Sequence, residues 1–121
     1  MNNTINSQDM IKALRESLDA RDIIKARVIL SYIEEVDSKT QYRLLFELIR
    51  YDVDFHLPLL MYLMDQHQNI CQQFEIIEET LISHAIDYPD TFADALHSDM
   101  IKNPQILIAI AEKAEKSKQA N

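Results

Sequence analysis

The longest unbroken run of apolar side chains is Leu57–Met64, which includes Pro58 and Tyr62. A surface helix shows an apolar stripe and a polar back, whereas this segment is apolar on all sides. We therefore expect a helix over Asp54–His67 that neighbours cover on most of its circumference, with the other helices arranged around it. Pro58 is tolerated only near the start of a helix, where its missing N–H costs little.

Apolar residues at helical spacing, together with capping signals, predict six more helices, three before this segment and three after it. No linker divides the chain, so we expect one domain over residues 1–121, with residues 1–6 and 117–121 frayed. Before the central segment we expect a first helix capped by Asn6 or Ser7, a second from Ile23 to Val36, and a third that opens with a capping box at Ser38–Gln41. After it we expect a fifth helix with a cap within Asn69–Gln72 that runs to Ile86 and a sixth that starts at Tyr88–Asp90. The seventh has Asn103 as its cap and Pro104 as its first residue.

The composition favours an all-α fold, because the chain has no Gly and only three Pro. Strand-rich folds need tight turns that usually contain Gly. The lack of Gly also argues against a P-loop, a dinucleotide-binding fingerprint or a nucleophile elbow. The chain has no basic stretch followed by an apolar run, which is the pattern of a signal peptide. No apolar run approaches the ~20 residues of a membrane helix. We therefore expect a cytoplasmic protein without a membrane segment.

A weak internal repeat runs through the chain. Similar segments, Asp19–Ile23, Tyr51–Phe55 and Tyr88–Phe92, stand before or at the start of every second helix, 32 and 37 residues apart. Helical-hairpin repeats are ~34 to ~47 residues long. The chain thus resembles a HEAT-like α-helical repeat, and the resemblance implies stacked antiparallel helix pairs that bind proteins without catalysis. The alternative is an irregular helical bundle.

Charge is distributed unevenly along the chain, whose net charge is −8. Met1–Arg50 has 8 acidic and 8 basic residues, whereas Tyr51–Ile101 has 10 acidic residues and no Lys or Arg. The remaining residues, 102–121, contribute +2. Ordinary solubilising charge would explain the acids but not the absence of bases over so long a segment.

This asymmetry predicts a non-catalytic protein–protein interaction module, an adaptor or a regulator, whose acidic half meets a basic surface on a partner protein. The alternative is an inhibitor that imitates nucleic acid and occupies a basic cleft of a DNA- or RNA-handling protein. A mimic needs carboxylates spaced like phosphates along one face, whereas an adaptor needs an apolar patch surrounded by charge. The candidate partner-binding residues are Glu75, Glu78, Glu79, Asp87, Asp90, Asp94 and Asp99.

Two short motifs could hold a metal but have simpler explanations. Asp52-x-Asp54-x-His56 offers three donors, yet Asp54 is better explained as a helix cap. Asp94-x-x-His97 has the spacing of a di-iron half-site, but such sites need two of these motifs and further inward-facing Glu. We therefore predict no metal or cofactor.

No arrangement of residues predicts an enzyme or a nucleic-acid-binding protein. The single cysteine, Cys71, has no basic neighbour to stabilise a thiolate and is expected to be structural. The basic residues are interleaved with acids, as in the helical pair Arg43 and Glu47, which we expect to be a solvated surface pair. Phosphate contacts need net positive potential, so direct binding of nucleic acid is not expected.

All four histidines, His56, His67, His84 and His97, lie in the acidic segment. If they are exposed, the field of the carboxylates should favour the imidazolium forms and raise their pKa values.

Overall fold

The computed structural model describes residues 6–119, which fold into helices and loops with no strand among them. The predicted all-α fold is confirmed for this part of the chain, but the number of helices is eight rather than seven. A 3₁₀ turn, Ile33–Glu35, follows the second helix. The α-helices are α1 Ser7–Asp19, α2 Ile23–Leu30, α3 Ser38–Ile49, α4 Val53–Gln66, α5 Gln68–Gln73, α6 Ile76–Asp87, α7 Pro89–Leu96 and α8 Gln105–Gln119.

The chain divides into two compact units, with the boundary between Phe55 and His56. In the first unit α1 packs against both α2 and α3. In the second unit α6 packs most extensively against α8 and also against α7 and α5. That residues 1–121 form one domain stays a prediction.

Helix α4 is the buried helix that its apolar run predicts. Every residue from Phe55 to Asp65 is buried. The position of Pro58 differs from the prediction, because it is the sixth residue of the helix rather than one at its start. Asp54, expected as the cap, instead lies in the first helical turn.

The predicted fifth helix is two helices, α5 and α6, separated at Phe74 and Glu75. The break has no Gly or Pro to mark it. Buried Ile70, Ile77 and Leu81 would also share one face of a single uninterrupted helix, so their periodicity does not reveal it. The predicted second helix is also shorter, because the α-helix ends at Leu30.

The caps are partly as predicted. Asn6, which we expected to fray, caps α1, because its Oδ1 accepts from the N–H groups of Gln8 (3.0 Å) and Asp9 (3.1 Å). Asp37, rather than Ser38, caps α3, and its Oδ1 accepts from the N–H of Thr40 at 2.9 Å. Hydrogen bonds from the side chain of Thr40 and, second, from its backbone N–H lower the pKa of Asp37.

The other ends differ by small shifts. Gln41 does not complete a capping box but donates from Nε2 to the carbonyls of Ile33 and Val36. Helix α8 begins one residue after Pro104 and continues to Gln119, beyond the predicted fraying point. The rest of the predicted frayed ends, residues 1–5, 120 and 121, lies outside the described residues.

The turn between α1 and α2 solves a problem that a chain without Gly must face. Arg21 has φ of 58°, the left-handed conformation that usually favours Gly after a helix. Its N–H donates to the carbonyl of Leu18, and the next N–H, of Asp22, donates to Ser17, which is a Schellman motif. Contacts of the Arg21 side chain hold this conformation: Nη1 lies 3.0 Å from Oδ2 of Asp52, and the guanidinium lies 4.9 Å from the ring centre of Phe55.

Candidate protein-binding surfaces

The seven predicted acidic residues fall into two groups rather than one face. Helix α6 has 12 residues and is therefore about 18 Å long. One group lies at its start and the other lies at its end and beyond it. The first group is Glu75, Glu78 and Glu79; the second is Asp87, the last residue of α6, Asp90 and Asp94 of α7, and Asp99 in the following loop.

The first group has a local structural explanation. Glu78 and Glu79 lie in the first turn of α6, where the positive end of the helix dipole favours carboxylates. Oε1 of Glu78 also lies 2.8 Å from Nζ of Lys113 on α8. The acidic segment is therefore partly neutralised by a base from outside it, which a charge count along the sequence does not show.

The second group is explained less well by local forces. Asp90 lies in the first turn of α7, but Asp87 ends α6 and Asp94 lies near the end of α7. Carboxylates near a helix C-terminus face the negative end of the dipole. Helix α7 has no basic residue in its last turn, and all four acids of this group are exposed.

An apolar groove lies beside this second group, between α6, α7 and α8. Its volume is about 250 Å³. Phe92 and Ala114 are buried in it, whereas Pro89 and Ala93 are exposed. We call it the α7 groove, and its lining residues are Ala85, Ile86, Pro89, Phe92, Ala93, Leu96, Ala111, Ala114, Glu115 and Lys118.

Three of the predicted acids directly follow, in the sequence, residues that line the α7 groove. Asp87 follows Ile86, Asp90 follows Pro89, and Asp94 follows Ala93. On α7 each acid is therefore rotated by about 100° from the lining residue that precedes it. We call Asp87, Asp90 and Asp94 the acidic rim.

Two histidines meet in the second unit. Nε2 of His56 lies 2.9 Å from Nε2 of His84, and His56 is buried. Nδ1 of His84 is buried too and has no hydrogen-bond partner among the described residues. Burial and, to a smaller extent, His56 lower the pKa of His84, whereas the carboxylate of Asp87 acts to raise it. For His84 the expectation of a raised pKa is therefore wrong, because burial outweighs the acidic field.

In the first unit Glu47 is buried, with only 6% of its side chain exposed. Its carboxylate accepts from Arg15 Nη2 at 2.7 Å and Nε at 3.4 Å, and from Arg50 Nη1 at 3.4 Å. These contacts, that of Arg15 first, lower the pKa of Glu47 although burial opposes them. The predicted solvated pair of Arg43 and Glu47 is therefore wrong, because Glu47 links α3 to α1 instead.

With Glu47 buried, the solvent side of α3 carries aromatic and basic side chains. The sequence does not reveal this surface, because Glu47 stands among these bases and balances part of their charge. We call it the α3 face, and its exposed residues are Lys39, Tyr42, Arg43, Phe46 and Arg50.

The candidate metal motifs do not assemble in this part of the chain. Among residues 6–119 no group of three or more His, Cys, Asp and Glu side chains could hold a metal ion. Asp52 binds Arg21, and His97 meets Asp94 through a backbone N–H to carbonyl bond of 3.2 Å.

Cys71 is buried, and burial, with a smaller effect of Glu78, raises the pKa of its thiol to about 12. The thiol is therefore protonated at neutral pH, which argues against a nucleophilic role. No helix in residues 6–119 has both the length and the apolar character required to span a bilayer.

Comparisons of the chain with protein-family models, with curated proteins and with solved structures gave no significant match.

Proposed function

We propose that the chain is a small, non-catalytic protein–protein interaction module, an adaptor or a regulator, which binds a basic surface of a partner protein. The observation that carries this proposal is the α7 groove with its acidic rim. An apolar site bordered by charge is the arrangement expected of an adaptor.

The α7 groove would supply affinity and the acidic rim would supply attraction at a distance. Binding energy in protein interfaces is concentrated in a few anchors that fill pockets. A cavity of about 250 Å³ can accept one or two apolar side chains of the partner. Exposed carboxylates mainly accelerate encounter and select a partner of opposite charge. We therefore expect an apolar anchor flanked by Lys or Arg on the partner.

Among the seven predicted acids, Asp87, Asp94 and Asp99 are the strongest candidates for partner binding. Asp94 and Asp99 lie near or beyond the C-terminus of α7, where a carboxylate gains nothing from the helix dipole, whereas Asp87 ends α6 and directly precedes Tyr88, the N-cap of α7. Solubility alone would not require acids at these positions. Asp90 joins them because it lies one helical turn before Asp94 on the same side of α7.

The second candidate, an inhibitor that mimics nucleic acid, receives less support from this geometry. A mimic needs a regular row of carboxylates, whereas the two groups of predicted acids are separated by about 12 Å along α6, from Glu79 to Asp87. Glu78, which would belong to such a row, is paired with Lys113.

We further propose that the helices form HEAT-like antiparallel pairs and that the protein acts in the cytoplasm. Consecutive helices pack on each other within a unit, α1 on α2 and α6 on α7, although the repeat implies other pairs, α2 with α3 and α7 with α8. The protonated thiol of Cys71 supports the proposal that the module is not an enzyme.

Site-specific photo-crosslinking tests the proposed function. A photoreactive phenylalanine analogue replaces Glu115, at the edge of the α7 groove, in the full chain expressed in its native cell. We expect one dominant partner that has Lys and Arg around an apolar residue, and we expect Asp90→Lys with Asp94→Lys to abolish its capture. The matched control places the analogue at Glu34, an exposed residue of the first unit. The proposal fails if both positions capture the same proteins or if the double substitution changes nothing.

A further inference from the structure

A second surface, unlike the α7 groove, lies on the solvent side of α3. Lys39, Tyr42, Phe46 and Arg50 follow one another at steps of three or four positions, and Arg43 stands four positions after Lys39 and three before Phe46. Residues at this spacing lie on the same side of a helix. The α3 face is therefore a continuous stripe, about 16 Å long over eleven residue steps.

The α3 face is basic because tertiary contacts remove the acid of α3 from the surface. Glu47 is buried and is bound by Arg15 and Arg50. Asp37, two residues before Lys39, lies at the N-terminal end of the helix, where its Oδ1 accepts from the N–H of Thr40. Between Lys39 and Arg50, all of which the structure describes, no acidic side chain is exposed.

The same face exposes two aromatic rings one helical turn apart. Tyr42 is 56% exposed and Phe46 is 57% exposed. Scattered apolar residues are normal on protein surfaces, but adjacent exposed rings with Arg beside them are typical of interaction sites. Tyr and Arg are among the residues most enriched in binding hot spots.

Arg50 can still bind a partner although it contacts Glu47. Only its Nη1 takes part, at 3.4 Å, and its side chain is 60% exposed. A guanidinium has five N–H donors in a planar fork, which fits a carboxylate with two parallel hydrogen bonds. Arg43 is exposed as well, and Lys39 adds a third positive charge.

We propose that the α3 face docks an acidic amphipathic helix of a partner protein. Apolar side chains of that helix would cover Tyr42 and Phe46, and its carboxylates would pair with Lys39, Arg43 and Arg50. The stripe of about 16 Å matches three turns of a bound helix, with anchors at positions i, i+3 or i+4, and i+7. This partner chemistry is the opposite of that expected at the α7 groove.

The charge pattern favours an acidic protein segment over other occupants. A nucleic acid would meet the field of a chain whose net charge is −8, and long-range repulsion would oppose its approach. A second copy of the chain carries the same net charge and is repelled in the same way. A short acidic helix meets the same repulsion, but it brings its own apolar anchors for Tyr42 and Phe46.

An NMR titration of the ¹⁵N-labelled full chain tests the proposal. The probe is a synthetic 14-residue helix with Leu at positions i, i+3, i+4 and i+7 and Glu at most others. Its control is the same peptide with Lys in place of Glu. We expect the Glu peptide to shift the amide signals of residues 39–50 to saturation, and we expect the Lys peptide to leave them unchanged.

Variants locate the effect on the α3 face. Lys39→Glu with Arg43→Glu should weaken binding of the Glu peptide at least about tenfold, through loss and reversal of two charges. Tyr42→Ser with Phe46→Ser should weaken it through loss of the anchors. The matched control, Lys25→Glu with Arg27→Glu on α2, makes the same change in net charge and should alter the dissociation constant less than about twofold.

Four results would overturn the proposal, and the first three need no variant. The first is that the Glu peptide does not shift the amide signals of residues 39–50. The second is that a ten-nucleotide oligo-dT shifts these signals and binds more tightly than the Glu peptide. The third is that the chain alone forms a dimer in sedimentation experiments through residues 39–50, which would make a second copy the occupant.

The fourth result is that the α2 control variant weakens binding of the Glu peptide as much as the α3 variant does, with both variants shown by circular dichroism to be folded.

Discussion

The α3 face and the α7 groove differ in charge and in shape. The α3 face is basic and presents two exposed aromatic rings on a helix surface. The α7 groove is concave, is lined mainly by small and aliphatic side chains, and is bordered by acids. The α3 face is basic because Glu47 is buried, whereas the acidic rim lies in a segment without Lys or Arg, although Lys118 of α8 lines the groove beside it. The charge that a surface presents is therefore decided by burial as much as by sequence.

The largest expected effect concerns α4, whose buried side chains contribute to neither surface. Leu60 is fully buried, so Leu60→Ala should lower the free energy of unfolding by about 2–5 kcal/mol. Urea unfolding followed by circular dichroism measures this change. Lys118→Ala, at an exposed position, is the control, and an equal midpoint for the two variants would show that Leu60 is not part of the core.

The next effect separates the structural role of Glu47 from its effect on the α3 face. Glu47→Gln removes the charge that Arg15 and Arg50 bind, and should reduce the free energy of unfolding by about 1–3 kcal/mol. It should also tighten binding of the Glu peptide, because the α3 face becomes more positive. Glu34→Gln, at an exposed position, should do neither. Weaker binding of the Glu peptide to Glu47→Gln would contradict our account of the α3 face.

A smaller effect should appear in the pH dependence of stability. The pKa of His84 is lowered in the folded state, so the unfolded state binds more protons. The stabilising contribution of neutral His84 is therefore present above the unfolded pKa of ~6.5 and is lost as pH falls below it. His56 from α4, together with Asp87 and Tyr88 from the end of α6, surrounds the His84 imidazole.

Urea unfolding at pH 7.5 and pH 5.5 measures this dependence. Wild type should lose more stability over this interval than His84→Gln, whose amide cannot be protonated. His97→Gln is the control, since His97 is exposed, and it should behave as wild type. The expectation is wrong if His84→Gln and wild type lose the same amount.

The sequence predicts those features that depend on local or strongly periodic patterns. The run from Leu57 to Met64 predicts a buried helix, and the absence of Gly predicts an all-α fold. Asn6 and Pro89 mark the starts of α1 and α7, because their chemistry fits a helix start and little else.

Features that depend on tertiary contacts are not visible in the sequence. Glu47 stands between bases in the sequence like any surface acid, and only the approach of Arg15, 32 residues away, allows its burial. His84 meets His56 across 28 residues, so its environment could not be foreseen. The α3 face cannot be recognised in the sequence for the same reason, because its basic character depends on the burial of Glu47. The break between α5 and α6 was missed because it preserves the apolar periodicity.

The central claim, that the acidic rim attracts a basic partner, is tested most directly by association kinetics. Stopped-flow mixing with the Lys peptide gives the association rate constant at low and at high salt for wild type and for Asp90→Lys with Asp94→Lys. The control, Glu34→Lys with Glu35→Lys, makes the same change in net charge in the first unit. Neither pair should lower the free energy of unfolding by more than about 0.5 kcal/mol, because all four residues are exposed.

We predict that the rim variant associates about tenfold more slowly than wild type at low salt, while the control variant stays close to wild type. The difference should disappear near 1 M salt, where the Debye length is about 3 Å. If the rim variant associates as fast as wild type at low salt, the acidic rim is only solubilising charge and the proposed function is wrong.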